Sequence, residues 1–182
     1  MFIQTEPTPN PATLKFLPGR AVMESGTANF TDAGAAERSP LALSLFALDG
    51  VTGIYLGADF ITVSKEAEVD WLQLKPAVLG VIMEHFTAGK PVITGEAAAA
   101  ETSDEPDTEL VSQIKELLET RVRPAVAQDG GDIIFHRFED GIVYLHMQGS
   151  CSGCPSSTAT LKAGIENMLR HYVPEVQEVR AI

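Results

Sequence analysis

Gly149-Ser150-Cys151-Ser152-Gly153-Cys154-Pro155-Ser156-Ser157 carries both cysteines of a 182-residue chain. Before it, Ile142 to Met147 reads as the returning strand of a hairpin whose first strand is Ile133 to Phe138 and whose tight turn is Glu139-Asp140-Gly141. After it, Pro155 to about Tyr172 reads as a helix that carries Leu161, Ile165, Met168 and Leu169 inward. The cysteine loop is therefore a strand-to-helix junction. Pro155 suits the first helical turn, where no backbone donor is wasted. Gly149 and Gly153 leave the backbone free to wrap a bulky centre.

Cys151 and Cys154 can converge on one metal centre. The N-terminus of the following helix should favour thiolate, the ligating form, and no carboxylate lies between Gly141 and Lys162. Ser152, Ser156, Ser157 and Thr158 can cap the helix or donate to sulfur. Four soft ligands are the usual complement for zinc or an iron–sulfur cluster, and one chain supplies two. Several readings stay open. His136 and His146 could complete a zinc site, although neither has zinc-knuckle spacing. A thiol–disulfide exchange motif would also follow a strand and open a helix, but no flanking βαβ pattern is legible. Two unligated thiols are the plain alternative. A cluster held by Cys151 and Cys154 of each of two chains answers the ligand count without further residues.

Working outward, Leu110, Ile114, Leu117, Leu118 and Val122 share one helical face, and Pro124 is expected to end or kink that helix. Asp129-Gly130-Gly131-Asp132 reads as a turn, its acids as turn formers. Pro174 closes the last helix, and Val176 to Ile182 reads as a short strand. Upstream, residues 95–107 hold five acidic residues, no basic residue and no large apolar side chain, the composition of a linker.

The N-terminal part opens with strand candidates at Phe2-Ile3-Gln4 and Thr13-Leu14-Lys15-Phe16-Leu17. Pro7-Thr8-Pro9-Asn10-Pro11 between them reads as a stiff exposed loop. Val22 and Met23 are read as continuing an edge strand, and residues 25–37 as loop. Ser39 caps a helix with Pro40 at its first position. Val51 to Leu56 and Phe60 to Val63 form a hairpin. Asp70 caps a second helix with a stripe of Trp71, Leu74, Val78, Ile82 and Phe86. His85 and His171 sit late in helices, where a cation suits the dipole. The whole is an α+β protein: a domain at 1–94, a flexible acidic linker at 95–107, and a domain at 108–182 in which a β-hairpin is packed by two helices.

The formal net charge of −12 argues against a nucleic-acid partner, which would demand a basic surface. No apolar run reaches the length of a spanning helix, so no membrane partner is expected. Met1-Phe2-Ile3-Gln4-Thr5-Glu6 resembles neither a signal nor a transit peptide, which points to a cytoplasmic protein.

Residues 108–182 resemble the NifU C-terminal, or Nfu-type, domain of iron–sulfur cluster scaffold and carrier proteins. The matching stretches are Val122-Arg123-Pro124, Asp129-Gly130-Gly131-Asp132, Gly149 to Cys154, Thr160-Leu161-Lys162, Gly164-Ile165-Glu166 and Pro174-Glu175-Val176. The first part is similar to the Nfu N-terminal domain through Thr5 to Pro11, Leu14-Lys15-Phe16, Ser39 to Ala42, Gly57 to Val63 and Trp71 to Pro76. The resemblance implies a non-enzymatic carrier. It would take a [4Fe–4S] cluster at a homodimer interface through Cys151 and Cys154, receive it from upstream assembly proteins and pass it to apo-proteins. Mitochondrial members carry a presequence that is not seen here, so a bacterial cytosolic protein is expected, with a mature mitochondrial form as the alternative. The competing function is a thiol–disulfide oxidoreductase using the same cysteine pair.

Overall fold

The structure is a computed structural model that describes residues 2–94, 108–152 and 155–182, with the backbone alone for residues 155–157. The expected linker at 95–107 lies outside the described residues. The chain divides into two compact units, Met1–Ala98 and Ala99–Ile182.

The first unit is an antiparallel sheet with two helices. Its strands are β1 (Gln4–Pro7), β2 (Thr13–Leu17), β3 (Ala28–Phe30), β4 (Val51–Leu56) and β5 (Ile61–Lys65), in the order β1-β2-β5-β4-β3. Helices α1 (Pro40–Phe46) and α2 (Trp71–Thr87) complete it. The core gathers Phe16, Phe30, Leu41, Ile54, Val78 and Ile82. Both expected caps are present. Ser39 Oγ accepts from the Ala42 amide and donates to the Val92 carbonyl at 2.6 Å, tying the chain beyond α2 to the start of α1. Asp70 accepts from the Leu72 amide, so α2 starts at Trp71 and runs through Pro76.

Three readings change. β1 is shifted from the expected Phe2-Ile3-Gln4: it begins at Gln4 and runs to Pro7, which pairs with Leu14 on the sheet edge, where a missing N–H costs little. The 25–37 stretch contains β3, whose Ala28 and Phe30 are buried. Three residues are too few for a sequence period to show. Val22 and Met23 are not a strand; both amides donate to the Ala58 carbonyl.

The second unit begins with one helical path in three parts: α3 (Glu109–Leu117), a π turn at Leu118–Val122, and α4 (Arg123–Gln128). Pro124 does not end the helix. It falls in the first turn of α4, where the preceding π turn has already changed the hydrogen-bond pattern. β6 (Gly131–Glu139) and β7 (Ile142–Gly149) form the hairpin, and both turn residues have positive φ: Asp140 at 51° and Gly141 at 78°. Helix α5 (Pro155–Tyr172) then crosses to β8 (Glu178–Ala181), which lies parallel to β7. The sheet order is β6-β7-β8. Its core joins Ile114, Leu118, Ile133, Leu145, Leu169 and Val179. The expected hairpin is thus two strands of a mixed three-stranded sheet. The expected strand at Val176 to Ile182 is present as β8, and its parallel pairing with β7, which has no local signal in the sequence, makes β7-α5-β8 a βαβ unit.

Candidate metal centre

The last pair of the β6–β7 ladder is Gly131 opposite Gly149. Two residues further on, Cys151 turns into the core of the second unit, 6% exposed. Its Sγ lies where residue 131 has no side chain: a Cβ there would stand 2.4 Å from the sulfur. The loop is held from several sides. The Ser150 amide donates to the Gly130 carbonyl, and Ser150 Oγ donates to the Asp129 carbonyl. Ser152 Oγ donates to the Gly149 carbonyl at 2.9 Å. Thr158, on α5, donates to the Cys151 carbonyl at 3.0 Å and fixes the helix to the cysteine. Cys154 and the side chains of Ser156 and Ser157 lie outside the described residues.

The electrostatics differ from the expectation. Burial pushes the Cys151 thiol up to about 11, opposed by a hydrogen bond with Ser150 and reinforced by the charges of Asp129 and Asp132. No carboxylate is near in sequence, yet Asp129 arrives from the turn before β6 and Asp132 from the second position of β6. Desolvation outweighs any help from the N-terminus of α5, and the neutral thiol is favoured in this position.

Asp132 is also more than a turn former. The residue is buried, and its carboxylate accepts two hydrogen bonds at 2.8 Å from Nε and Nη2 of Arg123, together with one from the Ile133 amide. Glu119, one turn before Arg123, takes the remaining guanidinium edge. Arg123 is held well above its ordinary pKa, chiefly by its hydrogen bonds with Asp132. Such bidentate pairing gives both energy and direction. The sequence reading missed this clamp because its partners sit on different elements, and no local spacing announces them.

The structure brings His136 and His146 together, with ring centroids 5.1 Å apart. Among the described residues, no three His, Cys, Asp or Glu side chains are placed to hold a metal ion. Lys162 is half-buried and lies 3.8 Å from Glu178. His85 is not the solvated helix-end cation expected. It is buried, its Nε2 has no hydrogen-bond partner, and desolvation followed by the charge of Lys90 holds its pKa below the usual value. Among the described residues no helix is long and apolar enough to cross a membrane.

Two family models match the chain. "Scaffold protein Nfu/NifU N terminal" covers residues 3–89, and "NifU-like domain" covers residues 114–180. The human protein named NFU1 iron-sulfur cluster scaffold homolog, mitochondrial, is 54% identical over 183 residues, covering 100% of this chain and 72% of that protein. NifU-like protein 4, mitochondrial, of Arabidopsis thaliana is 53% identical over 184 residues, covering 98% of this chain and 65% of that protein. A solution NMR structure of a NifU-like protein from Saccharomyces cerevisiae is 28% identical over 53% of this chain and 87% of its own, with a TM-score of 0.48. The chain belongs to the Nfu/NifU family of iron–sulfur cluster scaffold proteins. These relatives overturn one expectation. They are mitochondrial by name and match along the whole chain, against the reading of a bacterial cytoplasmic protein. That reading rested on the residues at Met1. The relatives extend beyond the matched region, so those residues do not bear on where the protein works.

Proposed function

We propose that this chain holds a [4Fe–4S] cluster as cargo between two copies, through Cys151 and Cys154 of each, and hands it to apo-proteins. The observation that carries the reading is the position of Cys151, at the β7–α5 junction of the unit matched by the NifU-like family model. The ligand count supports the sharing: the chain has two cysteines, and a cluster of this type takes four thiolates. Uptake draws the Cys151 sulfur from beneath Gly131 and releases its proton, because thiolate is the ligating form. Transfer is ligand substitution. An acceptor thiol forms one Fe–S bond as one Cys–Fe bond breaks, and the proton it loses passes to the departing cysteine, with no change in oxidation state.

A buried thiol with a pKa near 11 is a poor nucleophile at neutral pH, which weighs against thiol–disulfide exchange. The flanking βαβ pattern expected to be missing is present as β7-α5-β8, so the burial of the thiol is what disfavours exchange.

The test is anaerobic reconstitution of the full chain with iron and sulfide. The expected result is a brown dimer with about four irons per two chains, lost in Cys151→Ser and in Cys154→Ser. A monomer with the same iron content per cluster would overturn the shared site. A colourless protein that cycles a Cys151–Cys154 disulfide would overturn the scaffold reading.

A further inference from the structure

The hairpin of the second unit has one irregularity. Its register runs from Phe135 opposite Leu145 directly to Arg137 opposite Tyr144, so His136 is an extra residue in β6. A bulge of this kind re-aims a side chain at a small cost in ladder hydrogen bonds. Here it leaves the His136 ring beside that of His146 on β7, with centroids 5.1 Å apart and planes at 77°. His136 is half-buried and His146 is exposed. Arg137, the neighbouring cation, is drawn elsewhere: its guanidinium lies over the Tyr144 ring at 4.5 Å and its Nε faces Glu139 at 3.7 Å.

We propose that His136 and His146 form a two-imidazole site for a divalent transition-metal ion of borderline softness, of which zinc and nickel are examples. The separation fits. An imidazole nitrogen binds zinc at about 2.0–2.1 Å, which puts each ring centroid about 3.2 Å from the ion and two centroids about 5.2 Å apart at a tetrahedral angle. Imidazole nitrogen suits this class of ion. The two ligands come from adjacent strands, so a bound ion straps β6 to β7 across the bulge. Solvent reaches the exposed ring, and water completes the coordination. An exchangeable site with micromolar affinity follows from having only two protein ligands. It is distinct from Cys151 and Cys154 and does not depend on the cluster reading.

The experiment uses the full chain carrying Cys151→Ser and Cys154→Ser, so that no thiol competes. Zinc chloride is titrated by calorimetry and by NMR of the imidazole C–H signals. The expected result is one ion per chain, with the signals of His136 and His146 moving together and those of His85 and His171 unmoved. His136→Gln and His146→Gln should each weaken binding at least tenfold, with little further loss when combined. Zinc should raise the thermal midpoint of the second unit, and neither Gln variant should show that rise. Binding that survives both substitutions, movement of other histidines instead, or no binding up to millimolar zinc would each overturn the site.

Discussion

The Sγ of Cys151 fills the space where a Cβ of residue 131 would stand, 2.4 Å away. The same hypothetical atom would lie 3.0 Å from the Gln148 carbonyl oxygen and 3.1 Å from the Cys151 amide nitrogen. Backbone lines this space on two sides, so a rotamer change cannot make room. Gly131→Ala should therefore displace the cysteine loop and destabilise the second unit by about 1–3 kcal/mol, the usual cost of overpacking. Amide chemical shifts around Ser150 and Thr158 would report the displacement. Unchanged shifts with full cluster occupancy would show that the contact does not position the cysteine.

Breaking the Arg123–Asp132 clamp should cost more than a surface ion pair. The Asp132 side chain is 4% exposed, and Arg123→Met would strand its charge. A loss of about 3 kcal/mol is expected, with Arg123→Lys between Met and the native residue because it keeps the charge but not the fork. Urea unfolding followed by far-UV circular dichroism would read it. Fluorescence of Trp71, the single tryptophan, reports the first unit and serves as an internal control. A Met variant as stable as the native chain would mean that the pair merely offsets its own desolvation.

His85 makes the first unit sensitive to acid. Its folded pKa lies below the ordinary 6.5, so the unfolded chain takes up the proton first. The stability contribution is complete above that value and declines as pH falls through it. Between about pH 7 and 5 the Trp71-detected unfolding midpoint should drop, and His85→Gln should flatten that slope. A slope identical in the variant would assign the acid sensitivity to other groups.

Cys151 works in the opposite direction. Its folded pKa, about 11, exceeds the ordinary 9.0, so the neutral thiol stabilises the fold. That contribution is full below about pH 9 and fades toward pH 11. In Cys154→Ser, where one thiol remains, alkylation by iodoacetamide at pH 8 should be at least tenfold slower in the native chain than in urea. Equal rates would mean that the loop opens freely and burial does not protect the sulfur.

How much could be read in advance depended on range. The Ser39 and Asp70 caps, the Asp140-Gly141 turn and the Pro155–Tyr172 helix rest on residues within a few positions of one another, and the structure has them as expected. The short strand β3 had no periodicity to show, and β8, expected as a strand, had no local signal for its pairing. β3 exists because Ala28 and Phe30 pair with Leu56 and Ile54, and β8 because it docks parallel to β7.

By itself, the sequence determined the composition of the two units, the strand-to-helix junction and the family that its motifs resemble. The tertiary structure alone decided the state of the cysteine. The reason is dielectric and topological. Pairing Gly131 with Gly149 brings Asp129 and Asp132 to a thiol some twenty residues away in sequence, and packing removes the water that would let α5 favour its thiolate. A reading confined to Cys151 and its neighbours finds an activating helix end. The fold places there a buried, protonated sulfur.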